Sequence, residues 1–268
     1  MKTLKLSSTT SIIILIIFFG AVYFFGKPIS DLKKTGTGEE EIKNEQLSKL
    51  VDLSLVEERK YNEPDTYSTF EVTYPQFKNT TPEFNDKIKN DVLEAIANQK
   101  KESADNWKAR FNTKLPGENL LQFPTEAQKF DLIVNWEPVQ LNDKFISIVL
   151  NFGGYTGGAH GYENTISYNY DVLNKKEVVL GDLFPSDLNY LKTLSDFSRK
   201  ELEIQFQDDE NYSTIMTADD PWLQEGTMPT GDNFKTFTFT PSVITIYFAQ
   251  YQVGPRPVGA PKVDFSRK

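Results

Sequence analysis

The 268-residue chain has no cysteine, one histidine, three methionines and three tryptophans, and its 29 Lys and Arg are outnumbered by 38 Asp and Glu. Without cysteine there is no disulfide framework, no thiol nucleophile and no lipidated cysteine anchor. A lone histidine cannot assemble the multi-imidazole site of a typical zinc enzyme, and the sequence calls for no metal and no cofactor. A Ser-His relay would have to use His160, and no G-x-S-x-G turn accompanies any serine. The net charge of −9 argues against nucleic acid, whose phosphates require a basic surface. The acids between Asp208 and Asp220 lack the D-x-[DN]-x-[DN]-G spacing of a calcium loop. Paired carboxylates remain open as a chemistry, although no pair stands out among so many acids.

What is present begins with an apolar run. Leu6 to Gly26 is uncharged and bracketed by Lys5 and Lys27; as a helix it would be roughly 32 Å long, enough for a bilayer core of about 30 Å. Its end, Val22-Tyr23-Phe24-Phe25-Gly26, lacks the small-residue pattern of a cleavage site, so 6–26 is read as an uncleaved transmembrane signal-anchor. Lysines lie on both sides and do not set its orientation. A cytoplasmic tail at 1–5 with the bulk exported suits the short N-terminus. Residues 27–49 are polar, with Thr35-Gly36-Thr37-Gly38 and Glu39-Glu40-Glu41, and read as a flexible linker.

Folded sequence is expected from about residue 50. Leu53 to Tyr61 and Tyr67 to Tyr74 read as strands. Thr81-Pro82-Glu83 is a helix start, and Phe84, Ile88, Val92 and Ile96 form one apolar stripe. Residues 103–124 read as helix end, then loop. Phe130 to Trp136 and Lys144 to Phe152 alternate as half-buried strands joined by a tight turn. Val178 to Leu180 looks β-like, and a second helix is expected to start at Pro185-Ser186-Asp187. Residues 208–231 read as irregular, with strands at Phe234 to Phe239, Val243 to Phe248 and a short last one after Gly254-Pro255-Arg256-Pro257.

Between the strand Lys144 to Phe152 and a second alternating stretch, with Ile166, Tyr168 and Tyr170 on one face, lies Asn151 to Tyr162, N-F-G-G-Y-T-G-G-A-H-G-Y, which holds five of the 15 glycines and His160. The glycines lead into another β-patterned segment, not a helix, so a phosphate cradle is not expected. This stretch bridges two halves, and the strands flanking it are expected to share a sheet. The open loops 153–161 and 254–259 are the candidate ligand-binding surfaces. Tyr155, His160, Tyr162 and Arg256 are the candidate side chains, of types favoured at binding hot spots. Turn packing is the competing role for each.

Tyr155-Thr156-Gly157-Gly158-Ala159-His160-Gly161, then Leu180-Gly181-Asp182-Leu183-Phe184, with Phe70 to Phe77 upstream and Tyr251 to Val263 downstream, resembles the extracytoplasmic domain family shared by the anti-sigma factor RsiV and the peptidoglycan deacetylase PdaC. The resemblance implies an α+β fold: a mainly antiparallel sheet with at least two packed helices, here preceded by one N-terminal transmembrane helix. A PdaC/RsiV-like N-terminal half at 50–162 and an RsiV-like C-terminal half at 163–268 would pack as one unit. The deacetylase domain is expected to be missing, and the tail before residue 6 is too short to hold a sigma factor. What carries over is an envelope binding or sensor module whose ligand is a lysozyme-like protein or peptidoglycan glycan. A carboxylate-using wall hydrolase and an accessory domain for a separate enzyme are the alternatives.

Overall fold

The computed structural model describes residues 50–207 and 219–267. The expected signal-anchor at 6–26 and the linker lie outside the described residues, and among these no helix is long and apolar enough to cross a membrane. Six strands form one sheet in chain order: β1 (Val56–Tyr61), β2 (Ser68–Phe77), β3 (Phe130–Leu141), β4 (Phe145–Gly154), β5 (Tyr162–Asp171) and β6 (Lys176–Glu177). All neighbours are antiparallel except β2 and β3, which pair in parallel from Ser68↔Phe130 to Val72↔Val134. The exception has a cause. A long helix, α1 (Pro82–Asn112), lies between β2 and β3, and a crossover of that length is what a parallel pair requires. The mainly antiparallel α+β architecture is therefore as expected, with one parallel step that strand patterning could not reveal.

Helix α1 covers one face of this sheet. Its stripe Phe84, Ile88, Val92 and Ile96 is buried against Leu132 and Val134 of β3, Ile146, Ile148, Leu150 and Phe152 of β4, and Tyr168 and Tyr170 of β5. The other face of β4 is also covered: Ser147 and Val149 are buried, because a second layer packs there. That layer contains α2 (Tyr190–Gln207), the short α3 (Pro221–Gly226) and a three-stranded antiparallel sheet of β7 (Phe237–Phe239), β8 (Val243–Tyr247) and β9 (Lys262–Ser266). Its own core includes Leu194, Leu202, Phe234, Ile244, Ile246 and Phe248.

The two layers meet in a polar seam. Ser147 Oγ donates to Asn169 Oδ1 (2.7 Å) and accepts from the Phe239 amide (2.9 Å). Asn169 Nδ2 donates to the Phe237 carbonyl (2.7 Å), and the Phe237 amide donates to Ser167 Oγ (2.9 Å). Edge β7 thus has its free backbone groups satisfied by side chains projecting from β4 and β5. These bonds place both layers in one compact unit.

Several boundaries differ from the sequence reading. Leu53–Leu55 is a 3₁₀ turn, because the Asp52 carboxylate accepts the Ser54 amide (2.9 Å), so β1 begins only at Val56. Helix α1 runs on to Asn112, burying Trp107 in a third small cluster with Leu120 and Phe130. Thr81 occupies its N-cap position without a side-chain capping bond. Leu180–Leu183 is 3₁₀ rather than strand, and α2 starts at Tyr190, after Asp187 has drawn the Asn189 amide (2.8 Å) into a turn. Gly231–Phe234 is a 3₁₀ turn, and α3 occupies part of the stretch read as irregular.

Candidate functional site

The glycine stretch is a hairpin connection. Strand β4 ends at Gly154, opposite Tyr162 at the start of β5, and residues 155–161 close the loop. The loop is held from beneath by α1. Buried Gln99 donates from Nε2 to the carbonyls of Asp131 (3.0 Å) and Tyr155 (2.8 Å), and its Oε1 accepts from the Tyr162 hydroxyl (3.1 Å). Two turns further on, Asn106 donates to the Thr156 carbonyl (2.6 Å). Gly157 sits at φ +96°, and a Cβ there would lie 2.7 Å from the Phe130 ring. Only glycine suits both that dihedral and that approach.

Tyr155 and Tyr162 are both tied to this support. The Tyr155 hydroxyl donates to the Gly158 carbonyl (2.9 Å), and its ring meets Phe130 edge-on with centroids 5.5 Å apart. Tyr162 is 37% exposed. Burial, with the nearby carboxylates of Glu102 and Asp131, raises its pKa, so its hydroxyl remains a donor to Gln99.

His160 does something different. Its Nδ1 lies 2.9 Å from the Gly161 carbonyl and its Nε2 lies 3.4 Å from the Tyr251 hydroxyl. A carbonyl can only accept, so Nδ1 carries the proton, and in the neutral ring Nε2 is the acceptor for Tyr251. This contact spans 91 residues and joins the glycine turn to the loop after β8. Tyr251 holds the left-handed backbone (φ +68°), uncommon for an aromatic residue. Its carbonyl accepts Trp222 Nε1 (2.5 Å) from α3, whose first turn is capped by Asp220. The result is an open face bearing the rings of Tyr251 (43% exposed) and Trp222 (41% exposed) beside His160.

Of the four side chains singled out by sequence, then, Tyr155 and Tyr162 are linked through Gln99, and His160 meets Tyr251. Arg256 lies in the exposed 3₁₀ turn Arg256–Val258 on the same loop as Tyr251 and makes no hydrogen bond to the other three. Gln99, Trp222 and Tyr251 were not singled out. Gln99 was findable: the stripe 84, 88, 92, 96 continues through 99, 103 and 107, which puts a polar Gln99 and Ser103 on a core-facing row. Tyr251 carried no comparable signal, since its meeting with His160 depends on packing between the layers. Among the described residues no group of three or more His, Asp or Glu side chains is placed to hold a metal ion.

Fold and site together define an α+β domain in which a helix-backed sheet is seamed to a smaller sheet and two signature loops meet at one face. Comparison with known proteins shows what this domain is similar to. Residues 61–163 match the family "Deacetylase PdaC", and residues 181–268 match "Protein of unknown function (DUF3298)". The first folded half of the chain is thus similar to PdaC-family domains and the second to DUF3298-family domains. Over 141 residues it is 30% identical to the peptidoglycan-N-acetylmuramic acid deacetylase PdaC of Bacillus subtilis strain 168, a match covering 53% of this chain and 28% of that protein. Two crystal structures of DUF3298-family proteins are similar: one from Bacteroides fragilis NCTC 9343 (16% identity, TM-score 0.46, covering 79% of this chain and 90% of that one) and one from Pseudomonas aeruginosa PAO1 (15%, 0.41, 79% and 88%).

Proposed function

We propose that the chain is a cell-wall-associated binding module that captures an envelope ligand on the face formed by Tyr251, Trp222 and His160. The observation that carries this reading is the His160–Tyr251 contact, which brings the two signature loops together and leaves two large aromatic rings open to solvent. Support for the wall as the setting comes from the similarity to PdaC, a peptidoglycan-N-acetylmuramic acid deacetylase of which 28% is matched. Exposed aromatic rings with polar tips suit the apolar faces of sugar rings and equally suit a protein hot spot. The net charge of −9 favours approach of a basic protein such as a lysozyme-like enzyme over that of an anionic polymer. The module is tethered to the membrane by residues 6–26, with its C-terminal domain outside.

The test is a paired binding and turnover assay on the full-length chain. It is incubated with peptidoglycan while released sugars and acetate are analysed, and lysozyme binding is measured in parallel. The expected result is binding without product. Trp222→Ala, or Tyr251→Asn, which keeps a residue tolerant of the left-handed backbone, weakens binding by about 1 kcal/mol or more. Release of sugar, abolished by a single carboxylate substitution in a folded variant, would establish the hydrolase alternative. Protease access to the C-terminal domain in intact cells checks the topology; protection until lysis rejects it.

A further inference from the structure

At the opposite end of β4 from the glycine turn, about 30 Å away along a ten-residue strand, the two layers leave a cleft of about 540 Å³. Its walls come from the ends of β3, β4 and β5, from β6 and the 3₁₀ turn after it, and from the one end of the smaller sheet where the β7–β8 turn meets the end of β9. A volume of this order is that of a small-molecule site.

The cleft holds a polar group with nothing to bind. Gln140 is 3% exposed, and its Oε1 has no hydrogen-bond partner, an arrangement proteins avoid because a buried acceptor has lost its water. The register of β3 against β4 slips between Pro138 and Gln140. Such a bulge re-aims the side chains that follow it, and here Gln140 becomes part of the cleft lining.

The groups around it are divided by charge. Arg267 is fixed by a bond from Nη1 to the Thr240 carbonyl (2.8 Å) and lies over the Phe239 ring, 5.9 Å from its centroid, with other N–H groups to offer. Lys176 Nζ is held loosely by Asp182 at 3.4 Å. Asp171 accepts the Asn174 amide (2.9 Å) on one oxygen and Asn174 Nδ2 (2.7 Å) on the other, with the Leu173 amide also bonded to it, and of its four lone-pair sites at least one stays available. Phe145 and Phe239, edge-on at 5.5 Å, give an apolar floor.

From the orphaned Gln140 acceptor, the two cations and the aromatic floor, we infer that this cleft is a second binding site, for a short peptide presenting a carboxylate near an N–H donor. The carboxylate pairs with Arg267 and Lys176. The peptide N–H or ammonium donates to Gln140 Oε1 and Asp171, and a small aliphatic side chain lies on the Phe145 and Phe239 rings. The site is independent of the Tyr251 face, so either can fail alone.

The probe is the dipeptide Ala–Glu with free termini, titrated calorimetrically into the full-length chain alongside acetate and ethylamine as half-ligands. The dipeptide is expected to bind and to raise the melting temperature, with each half-ligand at least about tenfold weaker. Gln140→Leu removes the acceptor and Arg267→Met removes the charge; each is expected to weaken the dipeptide about tenfold or more, while Trp222→Ala leaves it unchanged. Ligand-free Gln140→Leu should melt no lower than wild type, because an unpartnered buried acceptor has been replaced by an apolar group. Absence of dipeptide binding at millimolar concentration overturns the proposal. So does binding that both cleft variants retain, or a lowered melting temperature for ligand-free Gln140→Leu, which would mean the amide is already satisfied.

Discussion

Gln99 shows how one buried side chain can set a surface. It bonds the carbonyls of Asp131 and Tyr155 and receives the Tyr162 hydroxyl, so replacing it with an apolar residue strands the Tyr155 carbonyl and the Tyr162 phenol and leaves the Asp131 carbonyl with the Tyr155 amide alone. Gln99→Leu is expected to cost about 2 kcal/mol or more in urea unfolding, and to loosen the glycine turn enough to weaken ligand binding at His160 and Tyr251. Gly226 is a second intolerant position: a Cβ there would lie 2.0 Å from the Gln252 carbonyl oxygen, a backbone atom that cannot swing away. Gly226→Ala is expected to destabilise by about 3 kcal/mol and to shift the Gln252 side chain, which also binds the Gly226 and Asn233 carbonyls (3.0 Å each).

Titration gives two further checks with opposite signs. The Tyr168 hydroxyl is pushed far up by burial and by its bond to Asp91 (2.7 Å), and burial also raises Tyr162 and Tyr247. The folded state therefore holds these protons while the unfolded chain gives them up near pH 10, and stability falls as pH rises above that value. A spectrophotometric titration should show Tyr168 ionising only with unfolding, and Tyr162 and Tyr247 ionising later than free tyrosine. For Asp171, burial would raise the carboxyl, but side-chain and backbone bonds from Asn174 outweigh it and the pKa is lowered. Its contribution is present above the unfolded value near 3.9 and is lost as pH falls through the lower folded value. Asn174→Ala should flatten that acid limb in denaturation curves measured between about pH 5 and 2.

At the scale of elements, the sequence was most readable where one face of a strand or helix does one job. The stripe of α1 and the alternation of β3, β4 and β5 could be read directly because their apolar positions all face the same core. Reading was weaker where polar residues do the packing. Ser147, Ser167 and Asn169 looked like the wet side of their strands, yet they form the buried seam that receives β7. The run of α1 past residue 103 was missed because Gln99 and Ser103 interrupt its apolar stripe with polar side chains that are nonetheless buried. The same blindness hid half of the candidate site. A histidine beside glycines is visible in sequence; the tyrosine that meets it from 91 residues away is not. If the seam is what docks the layers, Asn169→Leu should cost about 2 kcal/mol or more, leaving the Ser147 hydroxyl proton and the Phe237 carbonyl without their partner and lowering the midpoint of the three-stranded sheet along with that of the six-stranded one.

For the whole molecule, the question is whether the two layers fold as one. Strand β5 pairs with β4 along ten residue pairs, from Phe145↔Asp171 to Gly154↔Tyr162, and sends Tyr168 and Tyr170 into the helix-backed core, where both rings pack on Phe84. Tyr170 also accepts the Thr81 amide at the start of α1 (3.3 Å). Ending the chain at Gly154 would thus remove a core wall, bare the hydrogen-bonding edge of β4 and expose the Ile146, Ile148 and Leu150 face beside it, an edge prone to aggregation. A chain cut there is expected to be insoluble or molten, without a cooperative transition. The intact chain should show coincident urea transitions by far-ultraviolet circular dichroism and by tryptophan fluorescence, since Trp107 and Trp136 report the six-stranded layer and Trp222 the smaller one. Single-tryptophan variants separate the two reports. Midpoints that differ by more than the fitting error, or a soluble and cooperative fragment ending at Gly154, would show that the seam joins two domains able to fold apart; the His160–Tyr251 contact would then belong to an interface that can open, and ligand affinity would fall with the fraction of open molecules.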